Sequence, residues 1–125
     1  MFLKFRQNTN NVRWTNHSQR KLRQYRLSEK RVLRVLRRPD RKEEGIAPGT
    51  LANMQTTGTK KHPTEIWVMY QTASSRLKAQ SSKPAQKTKF VRIISAWKYP
   101  AISPKGKTIP IPDDILQDLI KEGLI

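Results

Sequence analysis

Val91-Arg92-Ile93-Ile94-Ser95-Ala96-Trp97-Lys98-Tyr99 is the longest β-branched and apolar run in the chain. It predicts a central strand, bounded by Lys-rich and Pro-rich segments. Arg92 and Lys98 interrupt the apolar pattern, and a lone cation is costly to bury. Such a strand fits a sheet with one face turned toward something negative.

The rest of the chain carries the same sign. Among 125 residues, 26 Lys and Arg stand against 9 Asp and Glu, a net charge of +17. Only 35% of residues are hydrophobic, so one domain with a modest core is expected, with part of the chain disordered. A cationic excess of this size attracts polyanions by counterion release, and nucleic acid is the commonest. The alternative is a solubility device, which basic residues serve poorly. The absence of cysteine excludes a disulfide scaffold and a Cys-based zinc site. No run of about 18 apolar residues occurs, so no spanning helix is expected. Residues 1–6 are too short and too quickly polar for a signal peptide. The expectation is a cytoplasmic protein without membrane contact or cofactor.

Residues 2–6 read as a short edge strand, 7–11 as a turn, and Val12-Arg13-Trp14 as a second extended piece. A first helix starts near Asn16 or His17, with Asn16 as cap and Gln19 in the capping-box position. Ser18, Leu22 and Tyr25 form its inner stripe. A second helix is capped by Ser28, has Glu29 in its first turn and Leu27 with Val32 as staple, and stops before Pro39. Val32, Leu33 and Leu36 are expected to face the core. From Arg13 to Lys42, 12 basic residues stand against two acids.

Residues 43–49 read as a turn-rich link, and 51–55 and 65–71 as strands, the second apolar on both faces. Residues 72–89 read as a mobile basic loop between antiparallel strands, either an arm for nucleic acid or a plain insertion. After the Pro-rich stretch 100–112, Asp113 and Asp114 open an amphipathic helix with Ile115, Leu116, Leu119 and Ile120 apolar. That helix either packs on the sheet or masks a basic surface. The predicted fold is α+β: a small, mostly antiparallel sheet, an N-terminal helical hairpin on one face, and a C-terminal helix. Residues 1–100 form the domain; 101–125 are a Pro-rich linker and acidic helix.

The hairpin runs from His17-Ser18-Gln19-Arg20-Lys21 through Leu27-Ser28-Glu29 to Arg38-Pro39-Asp40. It resembles the pattern His, helix, Ile/Leu-Ser-Glu, helix, Asn/Arg-Pro-Asp of BrnT-like toxins. Val91-Arg92-Ile93-Ile94-Ser95-Ala96 is similar to their Arg-Ile-Ile-Ser-Ala strand. The resemblance spans roughly residues 12–100 and places the chain beside the RelE-like superfamily of ribonuclease toxins from toxin–antitoxin modules. At the turn, Tyr25-Arg26 stands where that family commonly has Arg or Glu followed by Arg-Gly.

The resemblance implies an RNA-binding, metal-independent endoribonuclease, acting on free or ribosome-bound mRNA and paired with a cognate antitoxin. In such chemistry the ribose 2′-OH attacks the adjacent phosphorus. A base takes the 2′ proton, an acid protonates the leaving oxygen, and cations stabilise the phosphorane. His17 matches the family histidine and is the candidate acid or base. Lys21 matches a position usually filled by Arg and would bind phosphate; in such sites Lys and Arg often replace the usual His pair, because crowded positive charge lowers a Lys pKa. Arg92 matches the strand arginine and would stabilise the phosphorane. The plainer alternatives are a packed helix-start histidine, a snorkelling surface lysine, and an Arg92–Glu65 ion pair.

Arg20, Arg23, Arg34 and Arg38 are candidate nucleic-acid contacts, as are Lys98 and Tyr99 at the strand end. The two histidines, His17 and His62, lack metal-ligand spacing. Trp14, Trp67 and Trp97 suit either base stacking or the core. A non-catalytic RNA- or DNA-binding protein, or a ribonucleoprotein subunit, is the alternative to the enzyme.

Overall fold

The computed structural model describes residues 12–72 and 91–123. The expected edge strand at 2–6, the turn at 7–11 and the basic loop from 73 on lie outside them. The described chain is α+β, with the elements β1 (Val12–Trp14), α1 (Asn16–Tyr25), α2 (Glu29–Arg37), β2 (Arg41–Glu44), β3 (Leu51–Gly58), β4 (Pro63–Thr72), β5 (Val91–Tyr99) and α3 (Asp113–Lys121). The five strands form one mixed sheet in the order β1-β5-β4-β3-β2. β1 runs parallel to β5, and the other pairs are antiparallel.

β4 is the middle strand, and β5, the 91–99 strand, is also interior, paired by β1 on one side and β4 on the other, as a central strand requires. β2 was not foreseen: Arg41-Lys42-Glu43-Glu44 shows no apolar alternation and reads as helix flank and link. An edge strand of charged residues needs only its backbone to pair, and charge there discourages further strand addition.

One irregularity sets up the rest. β4 and β5 pair Met69 with Ser95 and then Tyr70 with Ile93, so Ile94 is an extra residue on β5. Residues opposite one another share a face, and a bulge puts two successive residues on the same side. Ile93 and Ala96 thus join one core cluster, with Val68 and Tyr70. Ile94 and Trp97 join the other, with Trp67 and Met69.

β1 covers only the first part of β5. From Thr15 onward α1 takes its place: Thr15 N–H donates to Ile93 O at 3.2 Å and Thr15 Oγ1 to Ile94 O at 3.1 Å. Thr15, not Asn16, caps α1, accepting from Ser18 N–H at 3.0 Å. Ser18 and Leu22 are buried, as their spacing predicts. α1 ends on Arg26, which adopts the left-handed conformation at φ 56°.

α2 starts as its sequence signals require, with Ser28 Oγ accepting from Arg31 N–H at 3.0 Å and Glu29 in the first turn. Val32 and Val35 are its buried residues, and Leu36 packs at the cluster margin. Val35 replaces Leu33 as the core position, since 32, 35 and 36 follow the helical repeat more closely than 32, 33 and 36. α2 covers the face carrying Ile66, Val68 and Tyr70.

α3 covers the opposite face. Ile115 and Leu119 are fully buried against Trp67, Trp97 and Met69. The two tryptophans stack with ring centroids 6.5 Å apart. Trp97 Nε1–H donates to Pro110 O at 2.9 Å, tying the irregular 100–112 segment to the sheet. Both rings have no exposed surface and are core residues, which removes them as base-stacking platforms.

Buried Glu65 accepts from Trp67 Nε1–H at 3.0 Å, Ser103 Oγ at 2.7 Å and Ser103 N–H at 3.1 Å. Arg41 Nη1 lies 3.6 Å from it. Arg41, not Arg92, is therefore its cationic partner. Arg92 pairs across from Gln71, six positions along β4 from Glu65 and roughly 20 Å away at strand rise.

Candidate functional site

Three carboxylates one helical turn apart on and just after α3 (Asp114, Asp118 and Glu122) meet α1. Lys21 Nζ lies 2.9 Å from Asp114 Oδ2 and 2.9 Å from Asp118 Oδ2. Gln24 Nε2 donates to Asp114 Oδ2 at 2.9 Å, and Tyr25 O–H to Asp114 Oδ1 at 3.3 Å. At the other end, Glu122 pairs with Arg20 and lies 3.5 Å from His17 Nδ1. Asp114 meets the end of α1 and Glu122 its start, so the two segments run antiparallel. The acidic helix thus both packs on the sheet and pairs with basic residues.

His17 has no exposed surface. Its Nε2 lies 2.8 Å from Ser95 Oγ, a partner that the β5 bulge turns toward α1. Nδ1 lacks a hydrogen-bond partner among the described residues. Burial pushes the imidazole below its ordinary pKa of 6.5, against the opposing pull of Glu122. His17 is therefore neutral at neutral pH. Ser95, His17 and Glu122 follow one another as serine, histidine and acid do in a hydrolase triad, but Ser95 is fully buried and offers no oxygen to a substrate.

Lys21 is only 4% exposed. Burial pulls its pKa down, but hydrogen bonds to Asp118 and Asp114 outweigh that, and the net shift is upward. The depression by crowded cations that such sites use is not found at Lys21, because its neighbours are carboxylates. Lys21 stays protonated and cannot serve as a base. The reading as a snorkelling surface lysine is also replaced, by an enclosed ion pair. Asp118 is lowered by its hydrogen bond from Lys21; Asp114, despite burial, is lowered by Lys21, Gln24 and Tyr25. Tyr25 is pushed up to about 12 by burial and the Asp114 carboxylate.

The fold brings His17 and Lys21 together but not Arg92, whose Nη1 donates to Gln71 Oε1 at 3.4 Å. Lys98 and Tyr99 diverge. Lys98 shares the α2 face with Ile66, while Tyr99 packs on the α3 side. Neighbouring residues of a strand point to opposite faces, so these two cannot serve one site. Arg20 is exposed and paired with Glu122. Arg23, Arg34 and Arg38 are exposed and form no ion pair among the described residues.

Sequence reasoning gave no role to Ser95 or Glu122, and read Asp114 and Asp118 as a helix-start acid and a solvated face, with masking of a basic surface as the alternative for the helix as a whole. The spacing of the three acids at i, i+4 and i+8 was the available signal; nothing marked Ser95, which depends on the bulge. Among the described residues, no group of three or more metal-ligating side chains occurs, and no helix is long and apolar enough to cross a membrane. Comparisons with protein-family models, curated proteins and solved structures found no match.

Proposed function

We propose that the chain is an RNA-binding protein that lays the exposed basic faces of α1 and α2 along a phosphate backbone. One observation carries this reading. The acids of the α3 region are engaged on the inner side of α1, while Arg23, Arg34 and Arg38 stay exposed and unpaired among the described residues. Arg34 in α2 and Arg38 at its C-cap lie four residues apart, a spacing that suits successive backbone contacts. Fluorescence anisotropy with a single-stranded oligoribonucleotide at several salt concentrations tests it. Each lost phosphate contact is expected to flatten the log–log salt dependence by about 0.7. Arg34→Gln and Arg38→Gln should each do so. Binding that ignores salt, or none at low salt, would refute the reading.

The second reading is a metal-independent endoribonuclease with a RelE-like arrangement of the helical hairpin, using His17, Lys21 and Arg92 on mRNA and neutralised by an antitoxin. It is favoured by the neutral state of His17 and by its unpartnered Nδ1. It requires α3 to leave α1. The triple variant Asp114→Asn, Asp118→Asn, Glu122→Gln loosens that contact. RNA cleavage by this variant, with or without ribosomes, would favour the enzyme. A folded variant that binds but never cuts favours the binding protein.

A further inference from the structure

The face of the sheet under α2 ends in an open groove. Strand pairing lays Thr57 opposite Thr64 and Ile66 opposite Lys98 on that face. Arg26, in the turn between α1 and α2, and Arg31, in the first turns of α2, form the facing wall. Three cations, from the α1–α2 turn, α2 and β5, therefore border one groove, beside Thr57 and Thr64 and over the buried Ile66. None of the three forms an ion pair with a carboxylate among the described residues, unlike Lys21 and Arg41.

Two further details mark the place. Arg31 Nε is buried and has no hydrogen-bond partner among the described residues. A buried donor left unsatisfied is costly; with no accessible surface, Nε is not itself open to a ligand, which meets the half-buried Arg31 side chain through its other nitrogens. Arg26 holds φ 56° and ψ 46°, a conformation that costs a non-glycine residue about 1 kcal/mol. At the helix start, Ser28 Oγ already accepts Arg31 N–H. Recognition falls to the side chains.

We propose that this groove is a phosphate-binding site that takes one phosphodiester of an RNA strand. Arg26 and Arg31 supply forked N–H donors, and Lys98 adds a point charge from the sheet. The bearer of the phosphate rests on the RNA-binding reading; the anion site does not. The groove would fix where along its backbone the strand is gripped, while the arginines on the outer face of α2 add affinity without position.

The test is an NMR titration of the labelled full chain with inorganic pyrophosphate, and separately with a short oligouridylate. Both are expected to shift the amides of Arg26, Arg31, Thr57, Thr64 and Lys98. Arg31→Gln and Lys98→Gln should each weaken both ligands about tenfold, the worth of one charge-assisted hydrogen bond. Lys105→Gln removes the same charge from an exposed loop and should cost less than about twofold. Thermal melts followed by circular dichroism check that each variant folds. Wild-type affinity for both probes in folded Arg31→Gln and Lys98→Gln overturns the site, as does pyrophosphate shifting amides elsewhere. Pyrophosphate in the groove with oligouridylate bound elsewhere retains the anion site and overturns the phosphodiester assignment. Pyrophosphate in the groove with no oligouridylate bound at all overturns the RNA-binding reading instead.

Discussion

His17 couples acidity to stability because burial holds its folded pKa below 6.5. As pH falls through 6.5, the unfolded chain takes up a proton that the folded chain refuses, so stability is lost across that window. Asp114 and Asp118 act lower. Their folded pKa values lie below 3.8, so their contribution is present above 3.8 and disappears as pH falls through the folded values. Acid destabilisation is therefore expected in two stages, the first beginning just below neutrality. Urea midpoints between about pH 7.5 and 5 should fall for the wild type and stay nearly level for His17→Gln. An equal slope in the two proteins would remove His17 as the cause. This environment was not readable from the hairpin: Lys21 and Asp114 lie 93 positions apart, and no local pattern announces a pair of that span.

At the level of elements, legibility followed punctuation. α2 was readable because Ser28, Glu29 and Pro39 mark its ends, and β4 and β5 because both carry long stretches rich in β-branched and aromatic residues. β2 was not, since four charged residues paired through their backbone leave no hydrophobic trace. The bulge in β5 was also hidden: Ile94 and Ser95 do not differ in type from residues of a regular strand, yet their position turns Ser95 toward His17. The β3–β4 hairpin depends on Gly58 at φ 86°, where an added Cβ would collide with His62 O. Gly58→Ala is expected to cost about 2 kcal/mol or more in urea unfolding, from left-handed strain and the steric clash together. A loss under about 0.5 kcal/mol would mean that the turn reshapes freely. This hairpin also carries Thr57 and Thr64, so its geometry bears on the proposed phosphate groove.

The whole molecule is set by 26 cations against 9 acids. Among the described residues, Asp114, Asp118, Glu122, Glu43 and Glu65 are all engaged by basic side chains of the same chain. What remains outward is mostly positive and repels itself. Screening should then help the fold more than it weakens the ion pairs, and the melting temperature is expected to rise by a few degrees between about 20 and 300 mM KCl. A fall would mean that the α1–α3 ion pairs outweigh the global repulsion. The antiparallel seam between α1 and α3 has a temporal consequence as well. α1 is made early, but its partner Ser95 is 78 residues from His17, and α3 comes later still. At translation speeds of about 5–20 residues per second, the ribosome holds a nascent α1 for several seconds before either partner exists. During that interval a bare cationic segment faces ribosomal RNA, too short to hold its helix alone, and folding competes with that attraction.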